Sequence, residues 1–240
     1  MQNEINASYS GVDELWSIER NLPNYNADII RRFVGFAKPG ARVLDFGAGI
    51  GTLSMLWKRA AVSVPECAEL DPQLQSILAE RGFVCNKNLE ASSDTYDLIF
   101  SSNVLEHIED DSGALEMLHA HLNEGGILAL YLPVMMSLYS QMDKALGHYR
   151  RYEKSELEEK LAAAHFELIQ IEYVDSIGYL AWMYMKLFKR NSAVMHENPA
   201  GLRIYDKYIF PISKIIDGLG LKHLGGKNIL VIARKSAKPN

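Results

Sequence analysis

The sequence predicts an α/β fold, a mostly parallel sheet covered by helices on both faces. Three observations point to it. From Arg42 onward, short apolar runs alternate with amphipathic helical segments. The runs RVLDF, YDLIFSS and GGILALYLP are apolar almost throughout, as strands buried on both faces are. The first of them leads into a glycine turn and a helix, VLDFGAGIGTLS, Val43 to Ser54.

Taken in order, residues 1–40 read as an N-terminal helical segment, with Leu15, Trp16, Ile18 and Leu22, then Ile29, Ile30, Phe33 and Val34, at helical spacing. RVLDF is a strand, followed by a helix from Thr52 to about Ala60. VSVPECAEL precedes a helix from Pro72 to Arg81, and GFVCN is a short strand. YDLIFSS is followed by a helix from Gly113 to Leu122, and GGILALYLP is the next strand. A loop rich in Met, Tyr and Arg follows Pro133. The helix after it is expected to start at a capping box of Ser155 and Glu158. Phe166–Val174 alternates as a strand, and NILVIARK, Asn228–Lys235, is the last one. Too many residues lie between these two for a hairpin turn, so 176–226 reads as a helical cap insertion in a single domain spanning 1–240.

The chain has 240 residues, 48% of them apolar, and a net charge of −5. An acidic chain is a poor candidate for a nucleic-acid binder. The charge is uneven: from Lys186 to Asn240 there are eleven Lys/Arg against three Asp/Glu, a net of +8 that leaves −13 on the remainder. A basic C-terminal region suggests an anionic surface or substrate nearby. Cys67 and Cys85 are expected to be reduced, buried thiols in a cytoplasmic protein. No His/Cys run has metal-site spacing, so no metal is expected. The start MQNEINASYS lacks the basic and apolar regions of a signal peptide. The most apolar stretch, IGYLAWMYM, falls well short of the ~20 residues that span a bilayer.

The glycine turn carries the chemistry. Gly47, Gly49 and Gly51 let the backbone turn tightly and approach a ligand, which would meet the free N–H groups of the next helix. Such a turn usually holds phosphate, yet Asp45 would repel an anion there. S-adenosyl-L-methionine suits both features, with an amino group for the carboxylate and a carboxylate for the backbone N–H groups. A second acid about ~20 residues on would hold ribose hydroxyls. Glu69 stands there, with Asp71 as competitor. A nicotinamide-dependent oxidoreductase is the rival reading, which Asp45 disfavours. A non-catalytic module that only binds the cofactor is the other.

These residues resemble the class I S-adenosylmethionine-dependent methyltransferases. VLDFGAGIG, Glu69, YDLIFSSNVLEHI and LNEGGILALYLP carry the resemblance, which covers Ala41 to Lys235. It implies a Rossmann-like, seven-stranded sheet whose last strand, Asn228–Lys235, is antiparallel and inserted beside Phe166–Val174. It places Asp45, Gly47, Ala48 and Gly49 at the methionine end of the cofactor. Glu69 falls at the ribose, with Leu70 also on the cofactor, Asn88 and Leu89 beside the adenine, and Asn103 and Val104 near the transferable methyl group.

The acceptor side falls in SLYSQMDKALGHYRRYEKSEL, which resembles a segment in methyltransferases of bacterial glycan and cell-surface gene clusters. Tyr139, Asp143 and His148 are expected to line an acceptor pocket. Arg150 or Arg151 is expected to hold an anionic group while His148 acts as base; the bland alternative pairs both arginines with surface glutamates. His107 is expected to be structural. The acceptor expected is a small molecule or a glycan- or lipid-linked one, methylated on oxygen. Aromatic, methionine and lysine residues of the insertion suit packing, a homodimer, or peripheral contact with an anionic membrane.

Overall fold

The structure, a computed structural model, describes residues 11–60, 63–188 and 199–236, the side chains of residues 182 and 184–188 excepted. Strands β1 (Val43–Phe46), β2 (Glu66–Ala68), β3 (Cys85–Asn86), β4 (Tyr96–Ser102), β5 (Leu122–Pro133), β6 (Phe166–Val174) and β7 (Asn228–Lys235) form one sheet. Its order is β3-β2-β1-β4-β5-β7-β6. The first five strands are parallel, and β7 runs antiparallel to both β5 and β6. This is the Rossmann-like arrangement with an inserted antiparallel last strand.

The central strands are apolar throughout because both faces are covered. Leu128, Leu130 and Leu132 of β5, with Ile229, Val231 and Ala233 of β7, point into one core. Helices α5 (Asp111–Ala120) and α7 (Lys154–Ala163) close it with Leu115, Leu118, Leu157 and Leu161. The alternate residues Ala129, Tyr131, Leu230 and Ile232 point into the other. There they meet Ile29, Ile30 and Phe33 of α2 (Pro23–Val34) and Trp57 of α3 (Thr52–Arg59). The period-2 side-chain alternation of a strand thus serves two cores at once.

Local chemistry shifts several boundaries. β2 starts only at Glu66, after Pro65, which has no N–H for a ladder. Part of the VSVPECAEL run, residues 61–62, lies outside the described residues. α5 starts two residues before Gly113, because Asp110 accepts from the Gly113 N–H at 2.9 Å. The Ser155–Glu158 capping box does not form: α7 begins at Lys154, so Ser155 already lies within the helix. The capping box belongs instead to α6 (Gln141–Ala145), where Asp143 Oδ2 accepts from both the backbone N–H and the hydroxyl of Ser140 at 2.9 Å.

The insertion comprises α8 (Ser176–Phe188), α9 (Pro199–Ile204), a π-helical turn Tyr205–Ile209 and α10 (Phe210–Gly218). It is fastened to the body by two acids at helix starts, where N–H groups lack partners. Asp206 accepts from the backbone of Asn24 and Tyr25 at the start of α2. Asp217 accepts from Asp175 and Ser176 at the start of α8. Leu202 and Phe210 join the second core. On the outer side Ile204, Tyr208, Ile212, Ile215 and Leu219, spaced at helical intervals, are each more than half exposed. The aromatic and basic residues 182 and 184–190, singled out in the sequence, lie outside the described side chains. No helix among the described residues is long and apolar enough to cross a membrane.

Cys67 and Cys85 are opposite one another in the β2–β3 register and both are free thiols. Cys67 is fully buried, and burial pushes its thiol well above the ordinary range. Cys85 is only partly buried, being on the edge strand.

Candidate active site

The sheet order reverses at β1, flanked by β2 on one side and β4 on the other. Ligands of open α/β sheets bind at the carboxyl ends of strands beside such a reversal. The loops after β1, β2 and β4 meet there. Gly47 takes φ +75°, and a Cβ on it would stand 2.4 Å from a methyl of Val104, so only glycine lets the β4 loop come this close. Gly49, at φ +56°, donates its N–H to Glu69 Oε2 at 2.9 Å.

Asp45 is buried, with Ser54 donating its hydroxyl at 2.7 Å. Burial, opposed by the Ser54 hydrogen bond and aided by the Glu69 charge, raises its pKa to about 7. This is a carboxylate short of a cation. Glu69 follows β2, and its other oxygen accepts from the backbone of Leu70 and Asp71. Asp71 is occupied as the N-cap of α4 (Pro72–Glu80), accepting from Gln73 and Leu74. Glu69 is the acid tied to the glycine turn, through the Gly49 N–H. Leu70 beside it is 80% exposed. Two carboxylates at the turn do not fit a pyrophosphate. They fit a group that brings an amino cation and vicinal hydroxyls, and Leu70 offers its base an apolar wall.

The remaining cofactor-side residues are placed unevenly. Asn88 is exposed and accepts from Ala91 N–H, capping a 3-10 turn. Leu89 is buried in the first core. Asn103 is exposed with φ +55°, a conformation asparagine tolerates, and donates its N–H to Tyr131 O at 2.8 Å. Val104 lies on the glycine turn.

On the acceptor side the hub is Asp143, only 1% exposed. Its Oδ1 takes Arg151 Nε at 2.7 Å and stands 3.1 Å from His148 Nδ1. Burial acts to raise its pKa, but His148, Arg151 and Ser140 outweigh it and bring it down to about 2. Tyr139 donates its hydroxyl to the His148 carbonyl at 2.6 Å, a positioning role. Arg150 and Arg151, expected to hold an acceptor anion, each have a carboxylate partner here. Arg151 is buried against Asp143, and Arg150 pairs with Asp111 at 2.7 Å and donates to Glu109 O. Neither pairs with the surface glutamates of the alternative reading. In a buried site a guanidinium is held by the nearest carboxylate, since an unpaired buried charge is costly.

Three further residues join this end. The ring of His107 meets that of His148 edge to face, centroids 4.6 Å apart. Burial and the neighbouring His148 lower the His107 pKa to about 4. Glu106 is fully buried, both its oxygens lack a hydrogen-bond partner among the described residues, and burial raises its pKa to about 8. Tyr149 N–H donates to Glu106 O at 2.8 Å, tying the β4 loop to the GHYRRY segment. α1 (Val12–Asn21) lies across both ends. Its Leu15 reaches within 3.3 Å of a Cβ position on Gly49, Glu19 accepts from Thr52, and burial, opposed by His148, raises the Glu14 pKa. The sequence carried no signal for Glu14 or for Glu106 as a site residue, because helical and loop spacing does not show what lies across a cleft.

A family model described as "Methyltransferase domain" matches residues 18–171. The malonyl-[acyl-carrier protein] O-methyltransferase of Pseudescherichia vulneris is 25% identical over 170 residues, 66% of this chain and 67% of that protein. A SAM dependent methyltransferase from Archaeoglobus fulgidus superposes with TM-score 0.63 at 21% identity, covering 92% of this chain and 98% of the other. Phosphoethanolamine N-methyltransferase 2 of Haemonchus contortus, solved with S-adenosyl-L-methionine, gives TM-score 0.64 at 17% identity. That alignment covers 98% of this chain but 59% of the other. With the glycine turn at the sheet reversal, Asp45 and Glu69 around it, and the match of residues 18–171, the chain belongs to the methyltransferase-domain family and is a class I S-adenosylmethionine-dependent methyltransferase.

Proposed function

We propose that the enzyme methylates an oxygen of a small-molecule, glycan-linked or lipid-linked acceptor bound over His148. The observation that carries this reading is the Asp143–His148 pair, packed on His107 of the loop whose Val104 meets the glycine turn. When bound, S-adenosylmethionine supplies an electrophilic methyl group on a sulfonium sulfur. Asp45 would face its amino group, the turn at Gly47, Ala48 and Gly49 would lie along its methionine end, and Glu69 would hold the ribose. Leu70 and Asn88 would border the adenine, and Asn103 with Val104 the methyl side. Asp143 holds the Nδ1–H of His148 and fixes the tautomer, so the other ring nitrogen presents a lone pair to an acceptor hydroxyl. That nitrogen would take the hydroxyl proton as the methyl group passes from sulfur to the acceptor oxygen, leaving S-adenosylhomocysteine. The O-methyltransferase relative supports oxygen over nitrogen.

The exposed apolar row on α9 and α10, with Arg203, Lys207 and Lys222 nearby in the chain, supports peripheral contact with an anionic membrane, where a lipid-linked acceptor would reside. Flotation with anionic vesicles tests this; absence of enrichment removes it, and a concentration-dependent homodimer would give the row another occupant. For the chemistry, His148→Ala should lower turnover by ~10²–10⁴ while calorimetry shows cofactor binding intact. Unchanged turnover overturns the assignment.

A further inference from the structure

We infer that Glu106, His107 and His148 form a binding site for a divalent first-row transition-metal ion. Each residue offers one ligand atom, and the three atoms lie within 4.8 Å of one another. Bond lengths of about 2.0–2.2 Å would bring them to ~3–4 Å, a side-chain adjustment of about an ångström.

Proximity alone would not carry the inference; two further features do. Glu106 is fully buried, and neither carboxylate oxygen has a hydrogen-bond partner among the described residues. Buried polar groups are normally satisfied, and an orphan among imidazoles asks for a missing partner. Arg151, the nearby cation, does not fill the role, since it is bonded to Asp143. Second, each imidazole has one nitrogen already engaged. His148 Nδ1 is held by Asp143, which Arg151 and Ser140 hold in turn. The His107 ring hydrogen-bonds the backbone of Leu146. Histidines that ligate metals are oriented in this way, one nitrogen on a carboxylate or carbonyl and the other on the ion.

Two imidazoles and one carboxylate select zinc, iron, manganese or cobalt over the oxygen-bound magnesium and calcium. Three protein ligands leave open positions for an acceptor oxygen. The ion would hold and polarise that oxygen as a Lewis acid; His148, with its lone pair on the ion, would then be a ligand in place of a base, and solvent water would take the hydroxyl proton. This catalytic meaning rests on the oxygen-acceptor reading above; the binding of the ion does not.

The test is titration of chelator-stripped protein with Co²⁺, followed by its visible absorption, and with Zn²⁺ by calorimetry. The expected result is one equivalent bound, with affinity lowered at least ~10-fold in Glu106→Gln, in His107→Ala and in His148→Ala. S-adenosylhomocysteine binding reports that each variant is folded. No cobalt spectrum, or equal affinity in folded Glu106→Gln and wild type, overturns the site. Loss of cobalt binding in His148→Ala with turnover intact keeps the metal site and overturns the oxygen-activation reading. Loss of turnover in His148→Ala without any metal uptake by wild type does the reverse.

Discussion

The cofactor end and the acceptor end of the cleft are built differently. The cofactor end uses backbone: a glycine turn, an acid in the strand before it and an acid after the next strand. Its parts are near neighbours in the chain. The acceptor end is a cluster of titratable side chains, the buried Asp143–Arg151 ion pair with buried Glu106 and two half-buried histidines, drawn from loops after β4 and β5. One end is held by chain geometry and the other by side-chain pairing. Substitutions should therefore fail in different ways at the two ends.

The largest effect is expected at Arg151. Arg151→Ala leaves Asp143 buried without its main cation, and should lower unfolding stability by about 3–5 kcal/mol in denaturant titration. Adding Asp143→Asn should recover part of the loss. At the cofactor end, Gly47→Ala combines a left-handed backbone with a Cβ placed 2.4 Å from Val104. A loss of roughly 2–3 kcal/mol is expected, together with weaker cofactor binding. Val104→Ala in the same chain should relieve the clash and leave the backbone strain. If the pair recovers fully, the strain is negligible.

Asp45 sharpens the comparison through pH. Folding raises its pKa from 3.8 to about 7, so the folded protein without cofactor holds this proton more tightly than the unfolded chain. The resulting stability is fully present below about pH 4 and is lost as pH rises through 7. The change is of order 4 kcal/mol at most. Asp45→Asn should flatten that slope in thermal or denaturant unfolding. Cofactor affinity should rise with pH through about 7 in wild type, as Asp45 ionises to meet the amino cation, and stay flat in the variant. Last, Leu70→Ala should leave stability within about 0.5 kcal/mol and weaken cofactor binding by roughly 1 kcal/mol in calorimetry. A larger loss of stability would mean that Leu70 packs in the fold despite its exposure.

Much of the fold was legible. YDLIFSS, GGILALYLP and NILVIARK became β4, most of β5, and β7, because strands buried on both faces leave continuous apolar runs. Boundaries failed where a single side chain decided them: Pro65 shortened β2, Asp110 moved the start of α5, and the Ser140–Asp143 box formed in place of Ser155–Glu158. At the site, Asp71 caps α4 while Glu69 is bonded to the glycine turn. Leu89 went to the core and Asn88 to a turn, because the third strand ends after two residues and its loop folds back onto the sheet.

By itself the sequence determined the strand, glycine turn and helix that carry Asp45, the glycines and Glu69, elements whose periods are written in the chain. Only the tertiary structure decided the acceptor end. Which carboxylate holds Arg151, what faces His148, and that Glu106 stands without a partner depend on distances between loops some forty residues apart. Buried charges choose partners by proximity, and proximity across a cleft has no period in the sequence.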